Sequence, residues 1–213
     1  MRSLDHLVMP TADLNVARAR LESLGFTVAP QGDHPFGTIN ACVYLADGTF
    51  FEPLAIGDRP LVDLSVKSGN NFVVSDKRFR DAAGDEGFSG LVFATADANA
   101  DDLEFRDLGI SGGGMVEFSR PAIDMSGRSD IASFVLAFAA TAVAPDQHFF
   151  TCERRKAPKI DRSELERHDN GASAIAAITA TSDDPEAFAA FLATSSGLVV
   201  SLYNQPEVWP VFG

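Results

Sequence analysis

A repeat inside the chain restricts its possible folds more than any other feature of the sequence. When residues 4–26 are set against residues 88–110, at a constant offset of 84, eight of 23 positions are identical. They are Leu7/Leu91, Val8/Val92, Thr11/Thr95, Ala12/Ala96, Asp13/Asp97, Asn15/Asn99, Leu24/Leu108 and Gly25/Gly109. The shared pattern reads as strand, cap, helix and turn. Residues 4–9 and 88–94 are short apolar runs with polar borders, which suits buried strands. Asp13 and Asp97 stand where an N-cap carboxylate accepts the first free helix N–H groups. Apolar residues follow at helical spacing, and Gly25 and Gly109 close each helix where a positive φ is needed.

Three strand candidates follow each helix. In the first copy they are 26–29, 39–45 and 49–56, with Ala46-Asp47-Gly48 as the hairpin turn. In the second they are 114–118, 132–140 and 148–152. A third, partial copy offers a strand at 173–181, a helix started by Asp183-Asp184-Pro185 and ended by Gly197, and a strand at 198–202. The expected organisation is a first βαβββ module at 1–58, a linker at 59–85 with a helix near 71–83, and a second module at 86–155. A linker at 156–172 and a partial third module at 173–213 complete it. The fold class is α+β.

Charge and composition narrow the function. A net charge of −13 argues against nucleic acid and anionic membrane surfaces. The one basic cluster, Arg154-Arg155-Lys156, reads as a solvated loop after a strand. No apolar run approaches the ~20 residues of a membrane span, and Asp5 and His6 interrupt any secretory signal. Cys42 and Cys152 are too few and too distant for a disulfide framework, so a cytoplasmic protein with inert buried thiols is expected. A small-molecule substrate is the expected partner. The incomplete third unit would leave strand edges open to pairing, and a homodimer is one assembly this allows.

Four stretches carry a resemblance to a known group of proteins. The first is Leu4-Asp5-His6-Leu7-Val8, and the second runs from Gly32-Asp33-His34-Pro35 through Gly37-Thr38-Ile39-Asn40. The third is Phe50-Phe51-Glu52-Pro53-Leu54. The fourth joins His148-Phe149-Phe150-Thr151-Cys152-Glu153 to His168-Asp169-Asn170-Gly171. In this order they resemble the vicinal oxygen chelate superfamily of glyoxalase I, extradiol dioxygenases and bleomycin-resistance proteins, and most closely its glyoxalase-like branch. The resemblance implies tandem modules forming a curved mixed sheet around a concave site with a divalent metal. Each module would supply one ligand from its first strand and one from its last.

By that resemblance His6 and Glu52 are metal ligands, and imidazole with carboxylate suits Zn, Fe, Ni or Mn. Both are expected to project into one pocket. Pro53 beside Glu52 is also an edge-strand signal. In the second module the offset sets Gly90 opposite His6, and Gly90 has no ligand atoms. Alternation puts Phe149, Thr151 and Glu153 on one face. Glu153 completes the metal set if that face is the one carrying Phe50, Glu52 and Leu54. Thr151 is the direct match to Glu52 if the two Phe-Phe pairs are aligned, with His148 then outward. His34 and Glu153 are the candidate catalytic acid–base groups, and Asn40 and Arg120 the candidate substrate-binding groups. The expected function is a metal-dependent lyase, isomerase or dioxygenase acting on a substrate with vicinal oxygens. The alternative is a metal-free, bleomycin-resistance-like protein that sequesters a small hydrophobic or aromatic molecule.

Overall fold

A computed structural model of the protein describes residues 1–198 and 200–202. The first half contains β1 (Leu4–Pro10), α1 (Leu14–Ser23), β2 (Gly32–Asp33), β3 (Thr38–Asn40), β4 (Val43–Tyr44) and β5 (Phe50–Ile56). Two helices, α2 (Arg59–Lys67) and α3 (Asn71–Ala83), lead to the second half. There β6 (Gly90–Thr95), α4 (Ala98–Asp107), β7 (Val116–Ile123), β8 (Ser129–Ala139) and β9 (His148–Lys156) precede α5 (Pro185–Ser196). Asp13 and Asp97 cap α1 and α4 by accepting backbone N–H bonds, as their positions in the repeat require.

One mixed sheet runs β2-β3-β5-β1-β6-β9-β8-β7, with β4 also paired to β5. Its two ends return to each other, β2 touching β7, so the sheet curls into a nearly closed trough. At its centre β1 and β6 are antiparallel, and Leu7 pairs with Leu91, its own repeat equivalent. A local twofold therefore passes between these two leucines. On either side of it, β1 pairs in parallel with β5 and β6 with β9. Phe50 lies opposite His6 and His148 opposite Gly90, an offset of 98 between the last strands. The equivalent of Glu52 is consequently Phe150, and the two Phe-Phe pairs are not in register.

Inside the trough, Val8, Leu54, Val92 and Phe150 pack with Val62 of α2 and Phe72 of α3, so these two helices close one end. Helix α1 covers the outside of the first half through Leu14 against Val43 and Ala55. Helices α4 and α5 cover the second half through Phe105 and Phe191. The helix of the third unit thus docks on its own chain, with the Phe191 and Phe149 rings 4.8 Å apart.

Several local expectations change, each for an identifiable reason. Residues 26–29 form no strand: Arg18 donates to the carbonyls of Val28 and Ala29, while the Ala29 amide donates to the Cys42 carbonyl at 2.8 Å. The expected strand 39–45 splits into β3 and β4, although both keep one register against β5. Pro53 lies opposite the gap. Ala41 donates to the Pro53 carbonyl at 3.2 Å, and proline has no N–H with which to return the bond. Pro53 is therefore in an interior strand, not at an edge. Helix α2, capped by Asp58 with Pro60 in its first turn, falls in the linker where only one helix was anticipated. Residues 173–181 carry no strand. In the anticipated strand 198–202, Val199 lies outside the described residues and the others are not in a strand.

Gly90 sits on the seam where a side chain cannot fit. A Cβ there would lie 2.9 Å from the Val8 Cβ and 2.8 Å from its Cγ2. Neither atom is the far end of a flexible chain. Gly90→Ala is expected to destabilise the protein by about 1–3 kcal/mol, as overpacking in a close-packed core does. Urea unfolding of the two proteins measures it.

Candidate functional site

His6 projects from β1 and Glu52 from β5, both into the hollow of the sheet and both buried. The His6 Nε2 atom is 3.5 Å from Glu52 Oε2. Strand alternation would turn Asp5 away from His6, yet Asp5 Oδ1 lies 2.6 Å from His6 Nδ1. The cause is a bulge: the β1–β6 register shifts between Leu4 and His6, leaving Asp5 as the extra residue. Arg154 of β9 then reaches both Asp5 oxygens, at 2.6 and 2.8 Å. On the far side Glu52 Oε1 accepts a 2.6 Å hydrogen bond from the Asn40 amide. His34 Nε2 is 3.8 Å from the same oxygen, while its Nδ1 lies 2.9 Å from Thr38 Oγ1. Phe50 stacks on the His6 ring at 4.3 Å.

The charges along this chain alternate in sign. Burial alone would raise Glu52, but the hydrogen bond and charge of His6, with the Asn40 amide, hold it at about 2 instead of 4.5. Burial alone would lower His6, but Asp5 and Glu52 raise it above its ordinary 6.5. His6 and Arg154 together keep Asp5 below 3.8 despite its burial. Arg154, Asp5, His6 and Glu52 thus form a chain in which each group favours the charged form of its neighbour. His34 is different: burial brings it down to about 4, so it stays neutral. Burial also pushes the Cys42 thiol up to about 12, which keeps it inert as expected.

At the two matching positions the second half of the hollow is apolar. The positions equivalent to His6 and Glu52 carry Gly90 and Phe150, and the Phe150 ring lies edge-on to His6 at 5.9 Å. Glu153 does not join His6 and Glu52. On β9 it is Phe150, Cys152 and Arg154 that line the hollow, while Phe149 packs towards α4 and α5. Glu153 shares this helix side, where it accepts a hydrogen bond from the Ala98 amide at 3.0 Å and pairs with Arg155. A register offset that keeps residue parity, 98 and not 99, decides this. The roles expected of Glu153 as third ligand and catalytic group are thereby withdrawn. Thr151 lies on the same outer side, whereas His148 follows the parity of Phe150 and does not face outward. Among the described residues no three His, Cys, Asp or Glu side chains converge on a point that could hold a metal ion. The donor set falls short of the three protein ligands a catalytic ion commonly takes.

The remaining candidates divide. His34 lines a cavity of about 50 Å³ that His6 and Glu52 also border, room enough for a few waters or a compact group. The Asn40 amide is committed to Glu52, so its evident task is to orient that carboxylate. Arg120 of β7 borders the cavity. Sequence reasoning missed Asp5, because the bulge is invisible to an alternating pattern. It also read Arg154 as solvated, whereas β9 extends to Lys156 and turns Arg154 inward. Arg162, beyond β9, was missed as well.

A family profile described as a glyoxalase-like domain matches residues 4–195. No curated protein sequence matches the chain significantly. Among solved structures, a hypothetical protein from Staphylococcus aureus aligns with a TM-score of 0.69 at 12% identity, over 96% of this chain and 79% of its own. That similarity shows a shared fold. Methylmalonyl-CoA epimerase from Mycobacterium tuberculosis aligns at 0.48 and 19% identity, over 74% of this chain and 89% of its own. At that score it carries no argument about this chain. Among the described residues no helix is long and apolar enough to cross a membrane.

The charge chain makes two measurable demands. Glu52→Gln leaves the His6 imidazolium short of a buried partner and is expected to cost about 3 kcal/mol at pH 7. Glu52 is at about 2 when folded against 4.5 ordinarily, so its contribution is complete above pH 4.5 and is lost as pH falls towards 2. Urea unfolding should show the gap between variant and parent closing over that range. In an NMR titration, His34 should remain neutral down to about pH 4, while His6 should stay protonated above 6.5.

Proposed function

The chain belongs to the glyoxalase-like domain family, and on that premise we propose that its hollow is a proton-transfer site. The reaction class is that of an isomerase or lyase acting on a small substrate with adjacent oxygens. One observation carries this reading: the buried His6–Glu52 pair, each group favouring the other's charged form, faces a cavity instead of being packed into the core. Each buried ion costs several kcal/mol in desolvation, and well-packed apolar residues are often as stable or more so. A charge pair kept at a cavity wall is therefore better explained by chemistry than by stability.

The steps follow from the competition for one hydrogen. A substrate carbonyl oxygen entering the cavity can accept the Nε2–H of His6 in place of Glu52. Glu52 then loses the partner that holds its pKa down and becomes a stronger base. It takes the proton from the carbon beside that carbonyl. The C–H electron pair forms a carbon–carbon double bond, and the carbonyl pair moves onto oxygen, where protonated His6 stabilises the enolate. Return of the proton to a neighbouring atom completes an isomerisation, and expulsion of a β leaving group completes a lyase reaction. Asp5 and Arg154 act on Nδ1, keeping the opposite ring nitrogen aimed at Glu52 and the cavity. The metal-dependent form of this chemistry would need a donor beyond His6 and Glu52, and no step here is routed through an ion.

Sequestration without turnover is a second reading, favoured by Gly90 and Phe150 in place of polar groups. Proton exchange separates the two. In deuterated buffer the protein should exchange the α-hydrogens of a fitting 2-oxo compound, followed by NMR. Glu52→Gln should slow that exchange by ~10²–10⁴-fold, the usual worth of a general base. Binding of such compounds with no exchange in the unaltered protein would leave sequestration as the function.

A further inference from the structure

Three arginines border the cavity, and they differ in what they are bonded to. Arg154 is matched by Asp5 through two short contacts. Arg120 and Arg162 have no carboxylate partner among the described residues, in a chain with 30 acidic residues against 17 basic ones. Arg162 lies over the Tyr44 ring at 4.4 Å. Its segment is tied down by buried Leu165, which packs with Ala29, Cys42 and Phe50. His168 reinforces the tie, its Nδ1 accepting from the Thr27 amide and its Nε2 lying 2.9 Å from the Tyr44 carbonyl oxygen. The arginine is therefore held at the cavity by packing and not by an ion pair.

Arg120 is the more informative of the two. Its Nε is buried and has no hydrogen-bond partner, and its Nη1 makes only a long 3.4 Å bond to the Pro121 carbonyl. The guanidinium is 5.8 Å above the Phe134 ring. It also rests where the side chain of residue 32 would be: a Cβ on Gly32 would lie 2.4 Å from Arg120 Nη1. The absent side chain at Gly32 gives the guanidinium its space across the closure of the sheet. A guanidinium carries five donors in a planar fork, and a buried donor without an acceptor costs ~1–3 kcal/mol. A neighbouring carboxylate would have been an available remedy in so acidic a chain.

We propose that Arg120 and Arg162 form an anion-binding subsite, and that the substrate is a small organic acid whose carboxylate they hold. The fork of Arg120 matches the two oxygens of a planar carboxylate. With the carboxylate anchored there, the adjacent carbon and its oxygen lie in the cavity bordered by His6 and Glu52. The substrate class is then a compact 2-oxo acid, whose 2-oxo oxygen is the carbonyl that meets His6. This assignment rests on the proton-transfer reading for its orientation of the substrate, but the anion subsite itself does not require it.

The test compares 2-oxobutanoate with 2-oxobutanamide, equal in size and carbonyl but differing in charge, by calorimetry and thermal shift on the full chain. The acid is expected to bind at least tenfold more tightly than the amide. Arg120→Met and Arg162→Met should each weaken the acid at least tenfold and leave the amide unchanged, with folding checked by circular dichroism. Arg120→Lys, which keeps the charge but loses the fork, should fall between. Equal binding of acid and amide, no binding of the acid, or an unaltered affinity in folded Arg120→Met would each overturn the proposal. Inorganic phosphate binding more tightly than the acid would overturn the carboxylate assignment. Glu52→Gln separates the two ideas: acid binding retained with α-exchange abolished supports both. Exchange that survives Glu52→Gln while Arg120→Met loses the acid leaves the anion subsite standing and removes Glu52 as the base.

Discussion

The pairing of β1 with β6 sets the geometry of the whole hollow. Leu7 and Leu91 meet across the local twofold, and that contact fixes the register of both halves together. A slip of one residue would turn every inward side chain of one half outward. The strands flanking the seam are parallel to it, so their side chains inherit its parity. Val8, Leu54, Val92 and Phe150 consequently share one core with the helices that plug the end of the trough. The bulge at Asp5 is the one local departure, and it is what brings a carboxylate beneath His6.

That carboxylate begins a chain of compensations. A buried imidazolium is costly alone, and so is a buried glutamate. Together with Asp5 and Arg154, each charge finds an opposite one within hydrogen-bonding or ion-pairing distance. The chain also spans the two halves of the sheet, since Arg154 belongs to β9 and Glu52 to β5. It therefore couples the polar site to the closure of the fold. Removing one member exposes its neighbour to the full desolvation penalty, which is why such a network is more sensitive to substitution than a surface ion pair.

The duplicated architecture carries its central His–Glu pair on one side. The first half holds His6 and Glu52, and the second holds Gly90 and Phe150 at the matching places. Gly90 is kept small by Val8, which leaves no space even for a Cβ. Phe150 instead supplies an apolar wall against His6. Symmetry of the backbone thus does not impose symmetry of function: the first half supplies the His6–Glu52 pair, and the second supplies Arg120 and Arg154. A family that shares this trough can host different reactions for the same reason.

Much of this was readable from the residues alone. The 84-residue repeat, the Asp13 and Asp97 caps, and the helix at residues 71–83 depend on local spacing, and the structure has them where that spacing places them. The α+β class with its curved mixed sheet follows from the same pattern and the resemblance it carries. His6 and Glu52 do share one hollow. What the residues could not convey was which face of β9 turns inward, because alternation relates neighbours within a strand but not the strand to its partners. The offset of 98 decided that, and it placed Glu153 outside and Arg154 inside. The bulge that joins Asp5 to His6 arises from pairing with β6, and the interior position of Pro53 from β5 having partners on both sides. Register, bulges and strand order are set by contacts between residues far apart in the chain. The sequence by itself determined the repeat and its helix caps, which rest on local spacing, and only the closed sheet decided which charges would surround His6 and Glu52.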